Sequence, residues 1–290
     1  MKKIIGIVMI VCGIFILFGI LASGAGKLLS FGSDEKKAAS TAGIKNIDID
    51  VARANVNIIQ HDGNKLVAKI ENNKLTEHIR VTEDGSTMKV RLDHGPLNWW
   101  PFGTVKVDVY VPKSYNQNIA LSIGSGNVDF NRSGGSMSLN DLTLEISSGN
   151  IELENLEVNK LKNDVRSGRL SVENVTSDTS SFDIKSGRVN LDHFTGELNG
   201  NVYSGRLSAD MDKLTGPVNL DVKSGRASLG LPDNADFTLD AHAASGRVSC
   251  DFPLKNAAMN GDTAIKGSYG SGKYPIKLNV ASGRISVNDR

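Results

Sequence analysis

The chain has 290 residues, of which 22% are charged and only 6% aromatic, with 30 glycines against 7 prolines. This excludes a disordered or collagenous chain and argues against a helical bundle. Lys and Arg total 33 against 32 Asp and Glu, a formal charge of +1, so no global field exists to gather nucleic acid.

Ile4 to Ala22 is an uncharged apolar run. As a helix it would measure roughly 28 Å, about the thickness of a bilayer core. The small residues Ser23-Gly24-Ala25 would also suit signal cleavage, but the apolar run is longer than a typical signal core, and an uncleaved anchor over 1–26 is expected. Lys2 and Lys3 precede it and should stay cytoplasmic, which places the rest of the chain outside the cell. Cys12 lies within the run and lacks the preceding small residue of a lipoprotein site; it reads as a membrane-buried thiol. Residues 27–43 are small and polar without an apolar period and read as a flexible linker.

Residues 44–118 read as an irregular β region. Ile47-Asp48-Ile49-Asp50-Val51 and Val105-Lys106-Val107-Asp108-Val109-Tyr110-Val111 alternate apolar and polar, and Asp62-Gly63 and Asp84-Gly85 are hairpin-turn signals. Between two of the predicted strands lies the one concentrated aromatic stretch, Trp99-Trp100-Pro101-Phe102. Three readings suit it: a cap on the end of the core, a membrane or partner contact, and a glycan-stacking surface.

From residue 119 to 290 the chain repeats. A Ser-Gly pair followed by Arg or Asn recurs at Ser125, Ser148, Ser167, Ser186, Ser204, Ser224, Ser245 and Ser282, at spacings of 23, 19, 19, 18, 20, 21 and 37 residues. Strand-like alternation flanks each pair, yet the inward residues on either side, Ile184 and Val189 for example, are an odd number apart. One residue is absorbed in a corner, and glycine accepts the positive φ such a corner needs. The inward positions, Val165, Ile184, Val202, Val222, Ala243 and Val280 before the corner and Leu170, Val189, Leu207, Ala227, Val248 and Ile285 after it, are all aliphatic. Units of about 19–20 residues cannot bury such a face alone, so the expectation is an all-β solenoid of stacked β-helix-like coils, or a closely related repetitive sandwich. Leu254 to Pro275 should hold one irregular unit or a cap.

In-register coils would align Arg169, Arg188, Arg206, Arg226, Arg247 and Arg284 in a file, with an interruption or an offset expected near the irregular unit. Glu173, Asp192, Asp210 and Asp251 stand two strand steps along and are expected to pair diagonally with them. The file is then either a solvated, charge-paired face or a site for an anionic repetitive ligand such as wall teichoic acid or lipid phosphates, which guanidinium forks bind.

Other motifs carry less. Gly267-Ser268-Tyr269-Gly270-Ser271-Gly272-Lys273-Tyr274 misses a nucleotide-binding loop by one residue, because Tyr274 replaces the magnesium-binding hydroxyl and an alternating run follows instead of a helix. It reads as a Gly-rich hairpin. Cys250 falls at an inward phase, and His61, His78, His94, His193 and His242 show no metal-ligand spacing. No catalytic, cofactor or metal residue is assigned.

Alternating strands, Val107-Asp108-Val109-Tyr110-Val111-Pro112-Lys113, serial Ser-Gly corners and a final Pro275-Ile276-Lys277-Leu278-Asn279-Val280-Ala281-Ser282-Gly283 resemble the bacterial putative-adhesin domain of unknown function. With an N-terminal anchor, the whole is similar to family members encoded with cell-envelope stress regulators. The resemblance implies an envelope protein with a repetitive β ectodomain and no established catalytic activity. Members commonly carry Asp or Asn after the Ser-Gly corner, where this chain has six arginines, so no family site transfers. The function expected is a non-enzymatic, single-pass cell-membrane protein displaying an adhesive or scaffolding surface. Its partners would be the membrane itself and either an anionic wall polymer or a neighbouring membrane protein. The alternatives are a polysaccharide-acting β-helix enzyme using Glu173, Asp192 and Asp210, and a regulatory partner of membrane proteins working through Gly6, Gly13 and Gly19 or the Trp99 loop.

Overall fold

The computed structural model describes residues 35–71, 77–94, 105–131 and 135–290. The expected anchor over 1–26 and the candidate contacts Trp99, Trp100 and Phe102 lie outside the described residues. Within those residues every regular element is a strand, and no helix is long and apolar enough to cross a membrane. All fourteen strands join one sheet.

The repeat forms stacked coils, as its alternation predicts. In β8 (Asn118–Phe130) and β9 (Met137–Lys213), Leu121 pairs with Leu144, Ser125 with Ser148 and Val128 with Ile151, all parallel. β10 (Val218–Leu231) continues the stack on β9, with Ser224 against Ser204 and Arg226 against Arg206. The inward positions named above are buried, and Phe130, Phe182, Phe194 and Phe237 fill the axis. Each buried phenylalanine contributes about 2–3 kcal/mol of transfer free energy.

The Ser-Gly corner has a steric cause. Gly187 has φ +147°, and a Cβ there would lie 2.4 Å from the carbonyl oxygen of Gly168 in the preceding coil. Only glycine permits both the dihedral and the approach. The sequence reading missed further breaks, two of them in the coil from Leu170 to Ile184. Inward residues run Leu170, Val172, then Val175, Ser177, then Ser180, Phe182, Ile184, so the two-residue period also breaks between Val172 and Val175 and between Ser177 and Ser180. At the first of these breaks Asn155, Asn174 and His193 adopt left-handed conformations in successive coils, with φ of 56°, 54° and 52°. Asparagine tolerates that region better than most side chains, and the Asn174 amide donates to Asn155 Oδ1 across the coils at 3.4 Å.

The stacking order departs from chain order at both ends. β14 (Tyr274–Asp289) lies between β10 and β11 (Phe237–Cys250), parallel to each, and pairs Leu278 with Leu220 on one side and Ala241 on the other. All three strands share one alternation and one corner, so their pairing surfaces are equivalent and sequence proximity does not decide the order. The interval before β14 is the cap alternative rather than an irregular coil. β12 (Lys255–Asn260) and β13 (Ala264–Tyr269) form an antiparallel hairpin that covers β11. Phe237, Phe252 and Tyr269 pack there, with ring centroids 4.8 to 5.7 Å apart.

The N-terminal region joins the same stack. β2 (Asn46–Arg53) and β3 (Asn55–His61) lie parallel on the two halves of β8, making a coil in which Ala54 replaces the corner glycine. Asp84-Gly85 turns the β5 (Glu77–Asp84) and β6 (Thr87–His94) hairpin as predicted. Asp62-Gly63 does not make a hairpin: β7 (Lys106–Pro112) enters between β3 and β4 (Lys65–Glu71), parallel to the first and antiparallel to the second. Part of the expected linker is likewise ordered. β1 (Glu35–Ser40) pairs antiparallel with β4 through backbone hydrogen bonds, which its small polar composition did not signal.

Candidate anion-binding groove

The residue after each corner glycine points outward, and in-register stacking repeats it once per coil. Spatial order along the stack is Arg169, Arg188, Arg206, Arg226, Arg284, Arg247, because β14 is inserted. The expected offset in the file is therefore absent: the insertion closes it. Ahead of Arg169 stands Asn150, whose amide donates to Asn127 Oδ1 at 3.1 Å. The file borders an open groove of about 1050 Å³, walled by the six arginines and Asn150 and floored by the corner glycines. Six steps at about 4.8 Å make it roughly 29 Å long.

The expected carboxylate partners do not reach these arginines. Within the described residues, Arg169, Arg188, Arg206, Arg226 and Arg284 make no ion pair and no side-chain hydrogen bond. Four residues of strand separate Arg169 from Glu173, about 13 Å, which is too far for side chains standing perpendicular to the sheet. Asp192 instead meets Arg290 at 3.5 Å, and Arg290 also binds Asp212 at 3.0 Å, which ties the residue after β14 to two coils of β9 across β10. Only Arg247 is paired, with Asp262 of the capping hairpin at 2.7 Å. Adjacent unit charges at coil spacing repel by about 0.9 kcal/mol even at the dielectric of water. The five open guanidiniums are thus retained against a cost in stability.

A second basic cluster escaped the sequence reading, although the signal stood just before three of the serines. Arg166, Lys185 and Lys223 are exposed there, and Lys223 Nζ lies 4.2 Å from the ring of the exposed Tyr203.

The model of the Toastrack DUF4097 family matches residues 44–288, nearly the whole described chain. The chain belongs to the Toastrack DUF4097 family. None of the curated proteins matches it. Two crystal structures share the Toastrack fold. A putative adhesin from Bacteroides fragilis is 14% identical, with a TM-score of 0.55 over 88% of this chain and 97% of that one. A putative adhesin from Parabacteroides merdae is 15% identical, with a TM-score of 0.51 over 89% of this chain and 97% of that one.

The remaining candidates in this Toastrack chain fall into place by contact. The loop resembling a nucleotide-binding motif connects β13 to β14, and these two strands flank β11 on opposite sides rather than pairing as a hairpin. Its interior is filled by the Asp236 carboxylate, which accepts from Ser271 Oγ at 2.6 Å and from the Lys273 amide at 3.0 Å. These donors hold the Asp236 carboxyl below its usual range. Among the described residues no three His, Cys, Asp or Glu side chains gather as for a metal ion. His193 Nδ1 lies 2.9 Å from Asp212 Oδ1.

Cys250 is half-buried, in register with Val287, and burial pushes its thiol up. Less thiolate is present at neutral pH, so iodoacetamide should alkylate the native protein several-fold more slowly than the unfolded chain. Equal rates in mass-spectrometric time courses would contradict this placement.

One polar cluster was not foreseen. Asp108 is 3% exposed on β7, accepts from Asn57 Nδ2 at 2.6 Å, and has its carboxyl raised chiefly by burial. Lys106 donates to the adjacent Glu71 at 2.7 Å and holds that carboxyl low. Strand alternation assigned Asp108 to the outer face, yet it is buried, with Asn57 of β3 and Lys69 of β4 in register on either side.

Proposed function

We propose that this protein is a non-enzymatic adhesin of the bacterial envelope, a rigid β stack displayed outside the cell on an N-terminal membrane anchor. The single observation carrying this reading is the groove of six arginines, five of them without a partner among the described residues, on an open face of a chain whose formal charge is only +1. An unpaired cationic file on a near-neutral protein is a contact surface for a repetitive anionic partner. Membership of the Toastrack family and a fold shared with proteins described as adhesins support the adhesive role. The apolar run at Ile4 to Ala22 supports the anchor, and Lys2 and Lys3 support its orientation. The arrangement of anchor and repeats is similar to LiaG, encoded with the Lia envelope-stress regulators, which supports a place in that response.

Retention of the full chain, purified in mild detergent, on cell walls with and without teichoic acid tests the reading. Retention that requires the polymer and is lost at high salt is the expected result. Equal recovery in the unbound fraction from both walls would end it.

A further inference from the structure

We propose that the groove binds a linear phosphodiester polymer lengthwise, its phosphates distributed along the five open guanidiniums, and that Asp262 occupies the sixth, Arg247, as a built-in competitor. This rests on the adhesive reading above and adds the ligand class and its register.

The observation that fixes the register is internal to the protein. Arg247, the last of the file, holds the Asp262 carboxylate at 2.7 Å, while the same side chain in the five preceding coils has no acceptor among the described residues. Asp262, in the turn of the hairpin, is itself fixed to β11, because its backbone carbonyl accepts from the Val248 amide at 2.8 Å. A tethered oxyanion at one end thus marks what the open guanidiniums take in turn.

The lining selects among anions. Among the described residues only arginine, glycine and Asn150 border the groove, and none of these offers an apolar or aromatic side chain to hold an acyl chain, stack on a sugar or stack on a base. The glycine floor lets a ligand approach the backbone, and guanidinium forks match phosphate oxygens in pairs. Length decides between monomer and polymer. A phosphodiester repeat with a three-carbon spacer has six backbone bonds, twice the peptide count, and extends to about 7 Å. About three extended phosphates span the roughly 19 Å from Arg169 to Arg284, and each added contact raises the effective concentration of the next.

The test titrates the full chain with glycerol-phosphate oligomers of two and six units, with inorganic phosphate, and with phosphatidylglycerol vesicles. The six-unit oligomer should bind at least about tenfold tighter than the two-unit one, with log affinity falling against log salt at a slope of up to about −3. Replacing Arg188, Arg206 and Arg226 together with Gln should weaken the six-unit oligomer at least about tenfold and flatten the slope, with an unchanged or higher melting temperature because those side chains make no internal contact. Asp262→Asn should act in the opposite direction and strengthen binding about two- to threefold by freeing Arg247.

Affinity independent of oligomer length, a triple variant that binds like the parent, an Asp262→Asn variant that binds more weakly, or vesicle binding without oligomer binding would each overturn the proposal. If the chain is retained on teichoic-acid walls but ignores the six-unit oligomer, the ligand class falls and the adhesive reading stands. If it does neither, both fall.

Discussion

Gly187→Ala should destabilise the protein by about 3 kcal/mol or more, because the added methyl enters a conformation open only to glycine and collides with rigid backbone. Its φ is +147° and the obstructing atom, Gly168 O, belongs to the neighbouring coil, so the strain cannot relax without moving two coils. Gly135→Ala is the control, since nothing lies within 4 Å of a Cβ there. For a chain of this size the expected loss corresponds to roughly 6–12 °C in melting temperature, read by calorimetry with the control unchanged. A Gly187→Ala variant that melts with the parent would remove the steric account of the repeated corner.

Leu278→Asp should be more damaging still. Leu278 is fully buried in the first half of β14, between Leu220 and Ala241 in register. A lone carboxylate there has no cation to pair with, and an uncompensated buried charge costs about 3–5 kcal/mol. Expulsion of β14 would bare the facing edges of β10 and β11 at once, so their amides should lose hydrogen-exchange protection together, with aggregation following from the unpaired strands. Lys277→Asp, on the exposed face of the same strand, should change little. Protection lost in β14 alone would show that the two flanking strands do not depend on it.

What could be read from the sequence was whatever repeats locally. The parity jump from Ile184 to Val189 revealed the glycine corner, and the residue after it revealed the arginine file. The jump from Val172 to Val175 carried the same kind of signal for the Asn174 corner and went unread, because no glycine marks it. The ion pairs failed for a different reason: sharing a face was taken for proximity, whereas four residues of extended chain exceed the reach of an arginine and a glutamate standing upright. Strand order at the two ends was not legible at all. Pairing preferences of β10 for β11 and for β14 are the same in kind, so the decision lies in how the hairpin and the core of the last coils fit together.

The insertion of β7 and β14 separates the order in which this chain is synthesised from the order in which it stacks. A simple coil array can grow by adding each new turn to the last, but here β11 and its hairpin leave the ribosome before the strand that must lie beneath them. Either β11 waits undocked, or it settles on β10 and is later displaced. In both cases the closing contacts are long in sequence, and such contacts slow folding. The inserted strands tie each end of the array into one block, so these coils should unfold together, unlike repeats that fray independently.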